Sequence, residues 1–266
     1  MVSSICITFM VLSLIYSVLV PIVGAIYGKK ILGGTLRVFF LGCIFFFISV
    51  VVLESFAHSI ILSSIPSIRT NTFILAIYGG LMAGLFEETA RLCAFKFFCK
   101  NKMANDKEGI MYGVGHGTFE AFYLLFSGMI SNIIMSVMIN RGTTNLLTDT
   151  LPAESASAIQ TSIDTLISTP FYMYLLGMYE RIPAIAVHIS LSVLVWFAVK
   201  NNKNIYYVLA ILLHLLLDAV SVILSAYANT FVVELGITAV SVLIVLIAVN
   251  IYKLNLPLSK WRFSKY

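Results

Sequence analysis

Residues 36–62 read LRVFFLGCIFFFISVVVLESFAHSIIL, with no charged side chain from Val38 to Leu53. A membrane span needs about 20 mostly apolar residues, and this run meets that length. Six more runs of the same kind follow from the breaks between polar stretches: 4–27, 72–98, 110–139, 171–199, 205–226 and 230–252. In hydrocarbon the backbone must satisfy its own polar groups, so each run is expected to be a helix. Strand-like alternation of polar and apolar residues is absent, which argues against a β-barrel. The expectation is an all-α, polytopic integral membrane bundle of about seven transmembrane helices. It forms a single membrane domain over 1–266, multi-pass in the cell membrane.

The composition agrees. Hydrophobic residues make up 60% of the 266 and charged residues 11%, and mean hydropathy is +0.98. A soluble domain carries about 25% charged residues, so soluble, fibrous and disordered classes are excluded. The net charge of +5 follows from topology and needs no nucleic acid. With the N-terminus outside, thirteen Lys and Arg residues from Lys29 to Lys265 fall on the cytosolic side, against Arg69 and Arg141 outside. That bias orients the N-terminus outward and the C-terminus to the cytosol. The basic tail from Lys253 to Tyr266 is expected near anionic lipid headgroups. The first run lacks a basic leader and a small-residue cleavage site, and reads as a retained span.

The longest break, the outer loop 140–170, is rich in Thr, Ser, Asp and Glu. Its stretch from Ser155 to Ser168 spaces Ile and Leu as a helix would, so it is either an interfacial helix or a solvated loop. In the fifth run Glu180-Arg181 and Pro183 interrupt the apolar pattern. Proline suits a first helical turn, so the spanning helix is expected to start near Glu180, with a re-entrant or interfacial segment before it. Cys6, Cys43, Cys93 and Cys99 have no metal-ligand spacing and read as small hydrophobes.

Ionisable groups inside a bilayer cost about 2.5–3.5 kcal/mol each on insertion scales, yet this chain holds many in its runs. Counting about 1.5 Å per residue from the cytosolic ends puts four sets at one level, roughly 10–20 Å in. They are Glu87, Glu88 and Arg91; His116 and Glu120; His188; and His214 and Asp218. Glu54, His58 and Glu234 come out near the outer face and are left outside the set. Residues i and i+4 share a helix face, as do Glu87 and Arg91, His116 and Glu120, His188 and Ser192, and His214 and Asp218. Each carboxylate is therefore expected to orient the histidine on its own helix. Gly79, Gly80, Ala83, Gly84, Gly113, Gly115 and Gly117 let helices approach closely around these residues.

Glutamates with three histidines, and no serine or cysteine nucleophile, suit activation of water. A glutamate acts as base and a histidine stabilises the oxyanion or protonates the leaving amine. Alternatively His116, His188 and His214 bind one Zn²⁺ or another divalent metal, with a carboxylate as base. Carboxylate–histidine chains also serve proton- or metal-coupled transport, and a non-catalytic binding or immunity protein on the same scaffold is a third reading. Each residue alone could equally be a structural hydrogen bond or buried ion pair. The shared depth is what joins them.

Four motifs carry a resemblance: GLFEETAR at 84–91, GVGHGTFEA at 113–121, ERIPAIAVHISLS at 180–192 and HLLLD at 214–218. In these the chain resembles the YhfC-like membrane proteins, related to the CAAX-protease and bacteriocin-processing (Abi/CPBP) superfamily. The resemblance implies an intramembrane endopeptidase of glutamate or metal type, acting on a membrane-embedded or membrane-tethered protein substrate. It implies catalytic roles for Glu87, Glu88, His116, His188 and His214, and supporting roles for Arg91, Glu120, Glu180, Arg181 and Asp218. The larger superfamily usually has three residues between the glutamates and the arginine, and here there are two. Gly-His-Gly stands where it has an aromatic-x-x-x-His pattern, with Tyr112 at the aromatic position.

Overall fold

A computed structural model describes residues 1–149 and 151–255. Beyond residue 255 the basic tail, expected near anionic headgroups, lies outside the described residues. No strand occurs among the described residues, and seven helices are long and apolar enough to cross a membrane. In chain order the longer helices are α1 (Ser4–Leu32), α2 (Leu36–Ser64), α3 (Thr72–Phe98), α4 (Lys107–Arg141), α5 (Ala153–Ser168), α6 (Tyr172–Lys200), α7 (Asn204–Tyr227) and α8 (Thr230–Leu254). All but α5 are candidate spans. Large apolar side chains stay exposed along them, such as Ile22, Phe40, Ile44, Leu243 and Leu246. Such a surface is suited to lipid and not to water.

The starts of these helices have local causes. Asn71 caps α3, its side-chain oxygen accepting from the N–H groups of Phe73 and Ile74. Asn229 does the same for α8 through Val232. The start of α2 is satisfied from a distance: Glu108 Oε2, itself buried, accepts from the Thr35 N–H at 3.0 Å and from Thr35 Oγ1 at 3.1 Å. Orphan N–H groups at a helix start need such acceptors.

The structure departs from the sequence reading in the fifth run and decides between the two readings of the outer loop. α6 is one continuous helix from Tyr172 to Lys200 with Pro183 in its interior, so no separate re-entrant segment precedes Glu180. Proline removes one N–H from the helix, but membrane helices tolerate this where other groups compensate. In the outer loop the stretch Ala153–Ser168 is helical, with Ile163 and Leu166 buried.

The chain packs as two compact units whose boundaries fall inside helices. The smaller comprises Met1–Ile22 and Ala121–Arg181. Its core joins Val2, Cys6, Met10, Leu166 and Tyr174, and Asn140 exchanges two hydrogen bonds with the Val2 backbone.

The larger unit comprises Val23–Glu120 and Ile182–Tyr266. Its core centres on the later half of α6, where Leu191, Leu194, Val195, Trp196 and Phe197 are fully enclosed. They pack with Phe95, Tyr112, Ala210 and Ile244. Trp196 Nε1 and Lys200 Nζ both donate to Asp106 Oδ1, at 3.1 and 2.5 Å, and pin this end of α6.

Glycine sets the helix spacing in this unit. A Cβ at Gly115 on α4 would lie 2.0 Å from the Phe39 carbonyl oxygen on α2, and one at Gly80 on α3 would lie 2.6 Å from the Leu215 oxygen on α7. Neither contact admits a side chain. The backbones meet directly, as small residues allow in lipid.

Candidate active site

Four helices of the larger unit bring their ionisable residues together. Glu87, Glu88 and Arg91 come from α3, His116 and Glu120 from α4, His188 from α6, and His214 and Asp218 from α7. Glu88, Arg91 and His116 have no exposed surface, and Glu87, His188 and His214 are also buried. Only the side chains of Glu120, 15% exposed, and Asp218, 34% exposed, open outward.

Glu87 is the hub. Its Oε2 accepts from His116 Nε2 at 2.7 Å and from Arg91 Nη2 at 3.4 Å, and lies 3.7 Å from His188 Nδ1. Its Oε1 lies 3.7 Å from His214 Nε2. Glu88 takes the other role: Oε1 accepts from Arg91 Nη1 and, at 2.8 Å, from His214 Nδ1. The two glutamates thus divide their partners, as neighbours about 100° apart on a helix must. Arg91 Nη2 also reaches His188 Nδ1 at 2.6 Å. His188 Nε2 pairs with Glu120 Oε2. The His116 and His188 rings lie 4.8 Å apart, and the Phe46 ring packs edge-on to His116 at 5.1 Å.

The expected pairing along each helix is replaced by pairing between helices. The Nε2 of His116 is held by Glu87, and the carboxylate of Glu120 by His188. His214 has its short contact with Glu88, while Asp218 Oδ2 stands 3.6 Å from its Nε2. Ser192 donates to the His188 backbone carbonyl, not to the ring. Glu180 and Arg181 belong to the smaller unit and pair with each other there.

Among the described residues one group of donor atoms lies mutually within 4.8 Å: Glu87, His116, Glu120 and His188. This differs from the three-histidine set expected from the sequence. His214 falls outside the group because Glu88 holds its ring, and two carboxylates take the remaining places. The residues fit a divalent metal on three counts. Two imidazoles and two carboxylates are ordinary donors for Zn²⁺ and its neighbours. His116 Nδ1 is buried without a hydrogen bond. Four carboxylates, Glu87, Glu88, Glu120 and Asp218, face one guanidinium, an excess of negative charge that an apolar interior accommodates only with added cations or protons.

Glu54, expected near the outer face and outside the set, makes its contact with His58 on its own helix. It lies at the end of a wide π-helical stretch, Phe47–Glu54, inside α2, where the regular rise per residue does not hold. Such stretches occur often at functional sites. Its side chain is buried, Oε1 lies 3.2 Å from His58 Nε2, and His58 Nδ1 meets Tyr78 OH at 2.8 Å.

The family model described as YhfC intramembrane metalloprotease matches residues 16–238. An uncharacterised membrane protein YhfC of Bacillus subtilis is 35% identical over 226 residues, covering 84% of this chain and 86% of that protein. No solved structure matches.

Proposed function

The chain belongs to the YhfC intramembrane metalloprotease family, and from that membership we propose that it hydrolyses peptide bonds of membrane-embedded or membrane-tethered proteins at the buried Glu–His cluster. One observation carries the reading. Carboxylates and imidazoles from three helices offer donor atoms within 4.8 Å of one another inside an apolar bundle.

A catalytic metal site keeps one position open, so three protein ligands suffice. Glu87, His116 and His188, the most enclosed of the four, would hold the ion. When bound, it polarises a carbonyl and acidifies water. Glu120 is the most open of the four, and in this reading it meets the water. It takes a proton from the attacking water as general base, aimed by its contact with His188. The water oxygen adds to the carbonyl carbon, and the carbonyl oxygen takes up the charge. His214 Nε2, beyond hydrogen-bond range of both Glu87 and Asp218, would donate to that oxygen or to the leaving nitrogen when the ring carries its second proton. Glu88 on its Nδ1 fixes the ring. The C–N bond breaks, and the proton held by Glu120 passes to the amine.

The test is cleavage of a membrane-tethered reporter by the protein reconstituted in lipid vesicles. Glu120→Gln and His188→Ala are expected to abolish cleavage while leaving a monodisperse, helical protein. Chelation is expected to stop the wild type and Zn²⁺ to restore it. Full cleavage by both variants would sink the reading. Ion flux lost on the same substitutions, with no cleavage by the wild type, would replace it with transport. The same reading keeps the C-terminus cytosolic, which a C-terminal reporter active only in the cytosol tests.

A further inference from the structure

We propose that Arg91 and a divalent cation compete for His188, so that the guanidinium holds the site together in its metal-free state and leaves the imidazole when metal enters. The proposal rests on reading the cluster as a metal centre.

Arg91 has no exposed surface. Its guanidinium has five N–H donors, no acceptor, and a charge it does not lose. Its Nη2 lies 2.6 Å from His188 Nδ1. That nitrogen must therefore accept, and the ring proton of the neutral imidazole sits on Nε2. There Glu120 Oε2 lies in close contact with it.

A metal ion needs a lone pair on one ring nitrogen. If it takes Nδ1, it needs the place that Nη2 occupies. If it takes Nε2, the ring proton moves to Nδ1, and two donors then face each other at the 2.6 Å of the present contact. Either route breaks the contact between Arg91 and His188. The charges act in the same direction, because a guanidinium beside a divalent ion repels it in a medium of low dielectric.

Arg91 has somewhere to go. Its Nη1 stays on Glu88, which also carries His214. Its Nε and Glu88 Oε2 are both buried without a hydrogen bond, so this pair has unused capacity. Without metal, Arg91 supplies the counter-charge for Glu87 and Glu88 and keeps the acidic interior intact. With metal, it withdraws to Glu88. The chain is thereby built to fold before it is loaded, at the expense of metal affinity.

The experiment titrates Zn²⁺ alone into the full-length protein in lipid nanodiscs, wild type against Arg91→Gln, by calorimetry and by thermal unfolding. Competition is expected to make the variant bind Zn²⁺ tighter by about tenfold or more, with a larger rise in Tm on Zn²⁺ addition. If Arg91 merely orients the ligands, its loss lowers affinity, by about 10–100-fold as for other residues that support metal ligands. Equal or weaker binding by the variant overturns the proposal while leaving the metal centre in place. No Zn²⁺ binding by either protein overturns the metal centre and the proposal together.

A measurement on the wild type decides the matter should the variant fail to fold. The chain has four histidines, which makes their ¹⁵N signals assignable. Without metal, His188 Nδ1 is expected to be unprotonated, and Zn²⁺ is expected to change that nitrogen to protonated or metal-bound. A protonated Nδ1 in the metal-free protein overturns the proposal.

Discussion

Glu87 Oε2 accepts a hydrogen bond from His116 Nε2 at 2.7 Å, joining α3 to α4 inside the apolar core of the larger unit. The same oxygen faces Arg91 and His188. Glu87→Gln keeps the shape of this hub and removes its charge. Hydrolytic activity is expected to fall by about 100-fold or more, and Zn²⁺ binding to weaken. Circular dichroism and size exclusion should show an intact protein. An unchanged rate in the reporter assay would move the hub elsewhere.

Glu88→Gln is expected to act through stability. Glu88 is fully enclosed and accepts from both Arg91 and His214. Breaking a buried pair from one side leaves the other charge uncompensated, at a cost of about 3–5 kcal/mol. The variant should unfold at lower temperature and lower denaturant than Glu87→Gln. A Glu88→Gln protein as stable as wild type would contradict the pairing.

Gly115 and Gly79 form a matched contrast. A Cβ at Gly115 would meet the Phe39 carbonyl oxygen at 2.0 Å, whereas one at Gly79 would meet nothing within 4 Å. Gly115→Ala is expected to push α4 from α2 and destabilise by about 1–3 kcal/mol or more. Gly79→Ala is expected to be neutral or stabilising by up to about 1 kcal/mol, since alanine favours the helix. Thermal unfolding of the two variants in one detergent makes the comparison.

Cys99 lies between two spans and is fully buried. Burial, with the charge of Glu108 adding to it, pushes its thiol up to about 11. A raised thiol pKa means that the neutral form persists through pH 7–9, and thiolate appears only as the pH nears that value. In a variant retaining Cys99 alone, alkylation should be slow at pH 8 in the native protein and fast after denaturation. Rapid labelling of the native protein at pH 8 would contradict its enclosure.

Much of the outline is legible along the chain. The seven runs needed only counting, because hydropathy adds up locally and lipid demands a minimum length. The ionisable residues of α3, α4, α6 and α7 also stood out one by one, since each is costly in an apolar run. Their partners were not legible. His116 was expected to find Glu120 one turn away, and its Nε2 is held by Glu87 on another helix. Pro183 read as a helix start and lies inside one.

The sequence by itself determined that this is a multi-pass helical membrane protein with acids and histidines concentrated at one level. Both are properties of single segments in a solvent that punishes exposed backbone and buried charge. Only the tertiary structure decided which donors meet, that Glu120 joins the group while His214 leaves it for Glu88, and that Arg91 reaches His188. Those outcomes depend on how each helix is rotated and how closely it approaches the next. Backbone contacts at residues such as Gly80 and Gly115 set both, and no local pattern encodes them.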